Sequence, residues 1–346
     1  MELKELLLTV VCVLIVATCH AMRASADALI IDLYMGEPIS MEELVDDLSR
    51  SRVVYLGEIH SITRHHEVQR QILERLSDKG LKLALAMEQF TREQQAALDR
   101  WSAGKGDLRD LIRDLGGEYW TNIWDYESVL TTARSAKIRI LGLNAPDRLV
   151  KKVARSGIEG LSESERAEIP SDTTTINPDL DRLLRLRLRV HKAFEKRRLD
   201  AIVLAQALRD ATMAQTVARF LDSDEGKDAT VVVIAGSGHV NYGLGIPERV
   251  SRVHHLPFRI VIPTESGELR LSEQEKRQSV PVHITHEDMR FLKAPIADYL
   301  HVIPRKPDGE KDEIEVPKDE QQPTEDNTAT YLKFRSERQD SRGRPF

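Results

Sequence analysis

Cysteine is nearly absent from this 346-residue chain: the only two, Cys12 and Cys19, lie close to the amino terminus. With the leader that carries them removed, no disulfide can form. No thiolate remains for zinc or haem either, so any metal has to be held by His, Asp, Glu or Tyr. Aromatic residues are also scarce, at 5%, which argues against a base-stacking surface for single-stranded nucleic acid. Positive charge is in deficit, with a net charge of −6. The concentrated basic face that nucleic-acid binding usually needs is therefore missing, and no nucleic-acid partner is expected.

Long hydrophobic runs are lacking too. The leading run, Leu6 to Ala17, is broken only by Thr9 and falls short of the roughly 20 residues that cross a bilayer. It fits the apolar core of a secretory signal. Ala24-Ser25-Ala26 offers small residues for cleavage near Ala26, giving a mature start near Asp27. A second reading takes Val16-Ala17-Thr18-Cys19 as a lipoprotein box with lipidation at Cys19, although Thr18 stands where Gly, Ala or Ser is usual. Both readings export the chain, to the periplasm or to a lipid anchor on the envelope.

What is present is enough for a large core. The chain is 41% hydrophobic and 31% charged, which suits one large α/β domain. Leu29–Asp32, Val53–Leu56, Leu81–Met87, Ile138–Leu143, Val231–Ala235 and Phe258–Ile262 read as strands. Between them lie helical patterns: Met41–Leu48 behind a Ser40 cap, Thr63–Lys79 stopped by Gly80, a capping-box start at Thr91 with Gln94, Asp107–Leu115, and Tyr126–Ala136. Strand and helix in alternation imply right-handed parallel crossovers. Lys151–Pro178 is more polar and less periodic, an excursion from the core. Asp179–Phe220 is long and helical, basic at first, then dense in small apolar residues from Ala201. The expected organisation is a leader over 1–26, one domain over 27–304 with a helical insert at about 151–200, and a disordered polar tail over 305–346.

Three of the apolar runs end in a carboxylate or histidine. Val53–Leu56 leads into Gly57-Glu58-Ile59-His60, Leu83–Met87 into Glu88, and Val231–Gly236 into Ser237-Gly238-His239. Ligands of open α/β sheets bind outside the carboxyl ends of the strands, so Glu58, His60, Glu88 and His239 should converge at one rim. Such a set can hold a metal or a metal-bearing cofactor, or perform acid/base chemistry. Glu58 and His60 alternate on extended chain and so face one way, able to share a metal or to form a base with its orienting carboxylate. A buried Glu–His hydrogen bond that ties a loop is the plainer alternative. His65 and His66 open the next helix, where one could turn back to the site or both could sit in solvent. Glu88 could instead form a salt bridge to Arg92 or Arg209. Gln206, Arg209, Asp210 and Met213 share one helix face, and Asp210 could orient His60 or His239 from behind. A phosphate loop is excluded, because no Gly-Lys-Ser/Thr follows Gly238. A serine-nucleophile elbow is excluded because Ser237 stands one place too early.

In this order the residues resemble the ChaN-like haem-binding uptake family of the Tiki/TraB/EreA-like superfamily. The resemblance is carried by Leu56–His60 with His66 and Gln69, by Met87-Glu88, by Trp120 with Tyr126 and Ala133, and by Asn144-Ala145-Pro146. It continues through Ala205-Gln206, Arg209-Asp210, Met213-Ala214, Gly236–His239 and Ala297–Leu300, about residues 45 to 304. It implies a three-layer α/β/α fold with a mostly parallel, mixed central sheet. It also implies an envelope protein that binds haem for iron uptake, sometimes as a homodimer enclosing the haem, with an outer-membrane uptake partner. The cofactor-binding candidates that follow are His60, His66, Tyr126, Asn144, Arg209, Asp210, His239 and Tyr242, with Tyr119, Tyr126 and Tyr242 as tyrosine candidates for the iron. Tiki-like relatives are metal-dependent peptidases with two Gly-x-x-His motifs and a glutamate, and EreA-like relatives are hydrolases. The alternative implied is thus a hydrolase with a divalent metal ion on Glu58, His60, Glu88 and His239, the same four residues serving catalysis.

Overall fold

The computed structural model describes residues 28–117, 120, 122–189, 196–265 and 284–304. The leader, the polar tail from 305 and Tyr119 lie outside the described residues.

Eight strands form one sheet, β1 (Leu29–Asp32), β2 (Glu37–Ile39), β3 (Val53–Glu58), β4 (Leu83–Thr91), β5 (Arg139–Asn144), β6 (Thr230–Gly236), β7 (Phe258–Glu265) and β8 (Tyr299–Ile303). Their order is β2-β1-β8-β7-β3-β6-β4-β5. From β8 to β5 every pairing is parallel, and β1 adds antiparallel to β8 with β2 folded back on it. The sheet is mixed and mostly parallel, as the sequence predicts. β3, β4 and β6 are buried along their whole length, which is why they read as unbroken apolar runs.

The helices are α1 (Met41–Leu48), α2 (Thr63–Asp78), α3 (Gln95–Ser102), α4 (Leu108–Asp114), α5 (Glu127–Ser135), α6 (Asp147–Ser156), α7 (Glu163–Glu168), α8 (Pro178–Leu188), α9 (Lys196–Asp222), α10 (Ile246–Val253) and α11 (His286–Met289). On one face Val54, Leu56, Leu85, Val232 and Ile234 pack against Leu44 and Leu48 of α1, Ile72 and Leu76 of α2 and Leu130 of α5. On the other, Val53, Tyr55, Ala84, Val231 and Val233 pack against Met213, Val217 and Phe220 of α9 and Val250 of α10. The two-residue alternation of the strands thus divides two cores between three layers. Among the described residues no helix is long and apolar enough to cross a membrane.

Three features depart from the sequence expectation. β2 and β8 are additional strands, and β8 completes the parallel run. The polar stretch after Pro146 opens with α6, whose Leu149, Val150 and Val153 are buried against Ala205 and Leu208 of α9. The long helical segment divides into α8, started by Pro178 and capped by the Asn177 side chain, and α9.

Two details position the site. β3 crosses rightward to β4 over β6, while β6 crosses leftward to β7 over β3, so the sheet reverses its winding between β3 and β6. A crevice at that switch point is where open α/β sheets bind ligands. The β4–β5 register also shifts between Met87 and Thr91. Glu88 and Gln89, consecutive on β4, point to opposite faces of the sheet and so reach different partners. Gly142 of β5 accommodates the register shift: a Cβ there would lie 2.3 Å from the Thr91 carbonyl oxygen. Gly142→Ala is therefore expected to lower stability by about 1–3 kcal/mol through overpacking against backbone. Urea unfolding checks this, and an unchanged midpoint would contradict it.

Candidate functional site

Glu58 is the last residue of β3 and only 2% exposed. Its carboxylate receives four hydrogen bonds. His60 Nδ1 (2.6 Å), Tyr126 Oη (2.5 Å) and Gln89 Nε2 (2.7 Å) donate to Oε1, and Gln69 Nε2 (2.7 Å) donates to Oε2. Four donors and no acceptor around it fit only the ionised form. Burial pushes its carboxyl up, but the hydrogen bond and charge of His60, with His66 and Tyr126, outweigh this and hold it below the ordinary range.

His60 is in turn the imidazole that reaches the open. Its side chain is 35% exposed, its backbone carbonyl accepts from Asn122 Nδ2 at 2.7 Å, and Trp120 stands edge-on to its ring at 4.5 Å. Glu58 holds the proton on Nδ1 and leaves Nε2 toward Gly236 and Glu88 on the cavity lining. A carboxylate behind the imidazole is the arrangement that prepares a histidine to bind a metal centre. Gly236 makes room for that edge: a Cβ there would lie 2.7 Å from His60 Nε2. Burial disfavours a charged His60, but Glu88 and Glu58 offset this and raise its pKa above the ordinary value.

A second cluster lies alongside. Glu88 is buried in β4, accepting from the Gly236 N–H at 2.7 Å and pairing with His239 Nε2 at 3.2 Å. His239 Nδ1 meets Asp210 of α9 at 2.5 Å, and the Gln206 amide lies 2.9 Å from the same nitrogen. Burial opposes a charge on His239, yet Glu88 and Asp210 push its pKa up to about 10. Glu88 is held far below the carboxylate range by His239 and His60 against its own burial. Burial raises the Asp210 carboxyl. The two clusters approach at His60 Nε2 and Glu88 Oε2, 3.9 Å apart.

The structure thus brings Glu58, His60, Glu88 and His239 to one rim. It does not make a metal cage of them. Among the described residues no three His, Cys, Asp or Glu side chains come together as a metal site. The physical reason is that both His239 nitrogens face carboxylates, and the oxygens of Glu58 are already taken by donors. The reading of a divalent metal on these four residues draws no support from this arrangement.

The other candidates divide. His66 is 1% exposed, stacks on Tyr126 at 3.9 Å and donates from Nδ1 to the Asp125 carbonyl. His65 is buried as well, its Nδ1 accepting the Ile59 N–H at 3.1 Å, so neither is a solvent-facing histidine. Burial pushes His65 down to about 4. Tyr126 is fully buried with its hydroxyl on Glu58, and burial and the Glu58 charge keep the phenol protonated. It cannot reach a ligand in the open. Asn144 braces backbone, donating to the Glu88 carbonyl and accepting from the Ala145 N–H. Arg209 is half-buried and adds positive charge near Glu88. Tyr242 is half-buried beside the site in a left-handed conformation, φ 61°. Gln89 and Asn122 are absent from the sequence reading. Gln69, Trp120 and Ser237, whose hydroxyl donates to the Glu58 carbonyl, stand in the motifs without a role, because their partners appear only once the elements are packed.

Above His60 opens a cavity of about 410 Å³, walled by Ile59, Leu184, Leu188, Ile202 and Val203 with the Gly236–His239 turn as its floor. That volume lies within the range of small-molecule sites. Glu88→Gln removes one of the two carboxylates of His239. It is expected to lower the His239 pKa by more than one unit and stability at pH 7 by about 3 kcal/mol, the loss typical of breaking a buried pair. The sign is fixed: a raised histidine pKa stabilises fully below about 6.5 and fades as pH rises toward 10. Ring ¹⁵N NMR against pH checks it, and an unshifted His239 titration would contradict it.

Comparisons with known proteins agree with this architecture. Protein RETICULATA-RELATED 5, chloroplastic, from Arabidopsis thaliana is 26% identical over 79% of this chain, and the chain spans 37% of that protein's length. A solved structure of ChaN from Campylobacter jejuni, described for cofacial haem binding, superposes with a TM-score of 0.58 at 21% identity. It covers 80% of this chain and 96% of that one. The family model for haem-binding uptake, Tiki superfamily, ChaN matches residues 44–250, more than half of the sequence. On that match the chain belongs to the ChaN family of haem-binding uptake proteins.

Proposed function

We propose that this chain binds haem in the cavity at the ends of β3 and β6, with His60 Nε2 toward the iron, and serves haem uptake. The observation that carries the reading is His60 itself. It lines the cavity, its Nε2 has no hydrogen-bond partner among the described residues, and a buried carboxylate holds its other nitrogen. The surroundings fit the group: apolar walls suit a macrocycle, and Glu58 strengthens the imidazole as a ligand. Bound there, haem would supply its iron to His60. Glu58 would hold the proton on Nδ1, and Gly236 would keep the approach to Nε2 clear. His239 would remain protonated and hold Glu88 in place.

Family membership supports the ligand. Export belongs to the same proposal, with cleavage near Ala26 or lipidation at Cys19, and rests on the leader sequence alone. A homodimer enclosing the haem and an outer-membrane uptake partner belong to the proposal as well, on the family resemblance.

Titrating hemin into the purified chain should give a saturable, red-shifted Soret band. His60→Ala should weaken binding at least about tenfold, the scale of one lost charge-assisted or ligand interaction, while Tyr126→Phe should still give the band. Binding should also weaken as pH falls, because Glu88 and Glu58 favour the protonated His60 that competes with iron. A Soret band unaffected by His60→Ala would move the ligand elsewhere, and no saturable band would overturn the reading.

A further inference from the structure

Arg187 of α8 lines the cavity between Leu184 and Leu188. Its Nη1 lies 3.9 Å from where a Cβ on Gly238 would be, so the guanidinium faces the Gly236–His239 turn. Its neighbours on the helix are all engaged. Arg185 pairs with Asp181 and Asp200, and Arg182 lies over the Phe291 ring. Arg187 has no such partner among the described residues; its electrostatic neighbour is the Tyr242 side chain. Burial pulls its pKa down, a sign that the charge is poorly solvated. The carboxylates nearby cannot serve it: Glu58 is saturated by four donors and Glu88 by His239 and the Gly236 N–H. A partly buried guanidinium without an anion is unfavourable, and its planar fork is made for a carboxylate.

We propose that Arg187 reads a ligand carboxylate, so that the cavity selects flat apolar molecules bearing a free carboxylate over their neutral esters. The inference rests on the haem reading above and deepens it. A tetrapyrrole would lie along Ile59, Leu184, Leu188 and Ile202, with its iron toward His60 at the floor and one propionate on Arg187 at the wall. Iron ligation and carboxylate recognition would then be separate contributions from different elements, β3 and α8.

The test compares three probes on the full chain: hemin, hemin dimethyl ester and iron-free protoporphyrin IX, followed by Soret absorbance and tryptophan quenching. Wild type should prefer hemin to its ester by about tenfold or more, the range of one charge-assisted hydrogen bond. Arg187→Gln should weaken hemin and protoporphyrin IX alike and leave the ester unchanged; Arg187→Lys should keep part of the preference. Glutamine and lysine both suit a helix, and circular dichroism verifies the fold. A hemin-to-ester ratio near one in wild type, or one unchanged by Arg187→Gln, overturns the role of Arg187 while the haem reading stands. Failure of hemin and protoporphyrin IX to bind overturns both.

Discussion

An ionised carboxylate at the end of a fully buried strand governs this site. Glu58 could not remain charged at 2% exposure without the donors that Tyr126, Gln89, Gln69 and His60 supply, because an unpaired buried charge is strongly unfavourable. Meeting that demand fixes much else. α2 has to present Gln69 and His66, the segment leading into α5 has to bury Tyr126, and β4 has to present Gln89 on the sheet face it shares with Glu58. His60 receives its tautomer from the same carboxylate. A group held this way is pre-organised, so a ligand meets an imidazole already set in orientation and protonation.

The second cluster solves a different problem. Glu88, His239 and Asp210 form a buried anion–cation–anion row that joins β4, the turn after β6 and α9. Such rows contribute little net stability over apolar packing, but removing one member is costly. Here the row keeps the Gly236–His239 turn closed against Glu88, which gives the cavity its floor. The two Gly-x-x-His segments therefore do unlike work despite their shared pattern. In one the histidine points out, tethered through a single nitrogen; in the other it is locked between carboxylates.

The strand ends were legible because parallel strands buried on both faces leave unbroken apolar runs, and a charged residue directly after such a run is conspicuous. The convergence of Glu58, His60, Glu88 and His239 followed from that alone. The partners did not. Whether His60 or His239 faces the opening depends on which carboxylate each meets, and Asp210 is distant in sequence from both. Gln89 looks like part of an apolar strand, and its role appears only once Glu58 and Tyr126 are packed on the same face of the sheet. α6 carries its apolar stripe at helical spacing, Leu149, Val150 and Val153 among lysines and arginines, and a polar excursion read from Lys151 onward cuts that stripe in two. β8 is a five-residue strand, Tyr299–Ile303, short and interrupted by His301, and it is placed by the edge that β7 offers it. Tyr126, a tyrosine in a family motif, is packed as a buried donor to Glu58.

The central claim is that Glu58 directs His60 Nε2 to the ligand. Resonance Raman spectra of the reduced hemin complex test it most directly. The account predicts an iron–histidine stretching band that disappears in His60→Ala and shifts in Glu58→Gln, where the imidazole loses its anionic partner. A phenolate–iron signature in the oxidised complex, with no iron–histidine band and no response to either substitution, would contradict it.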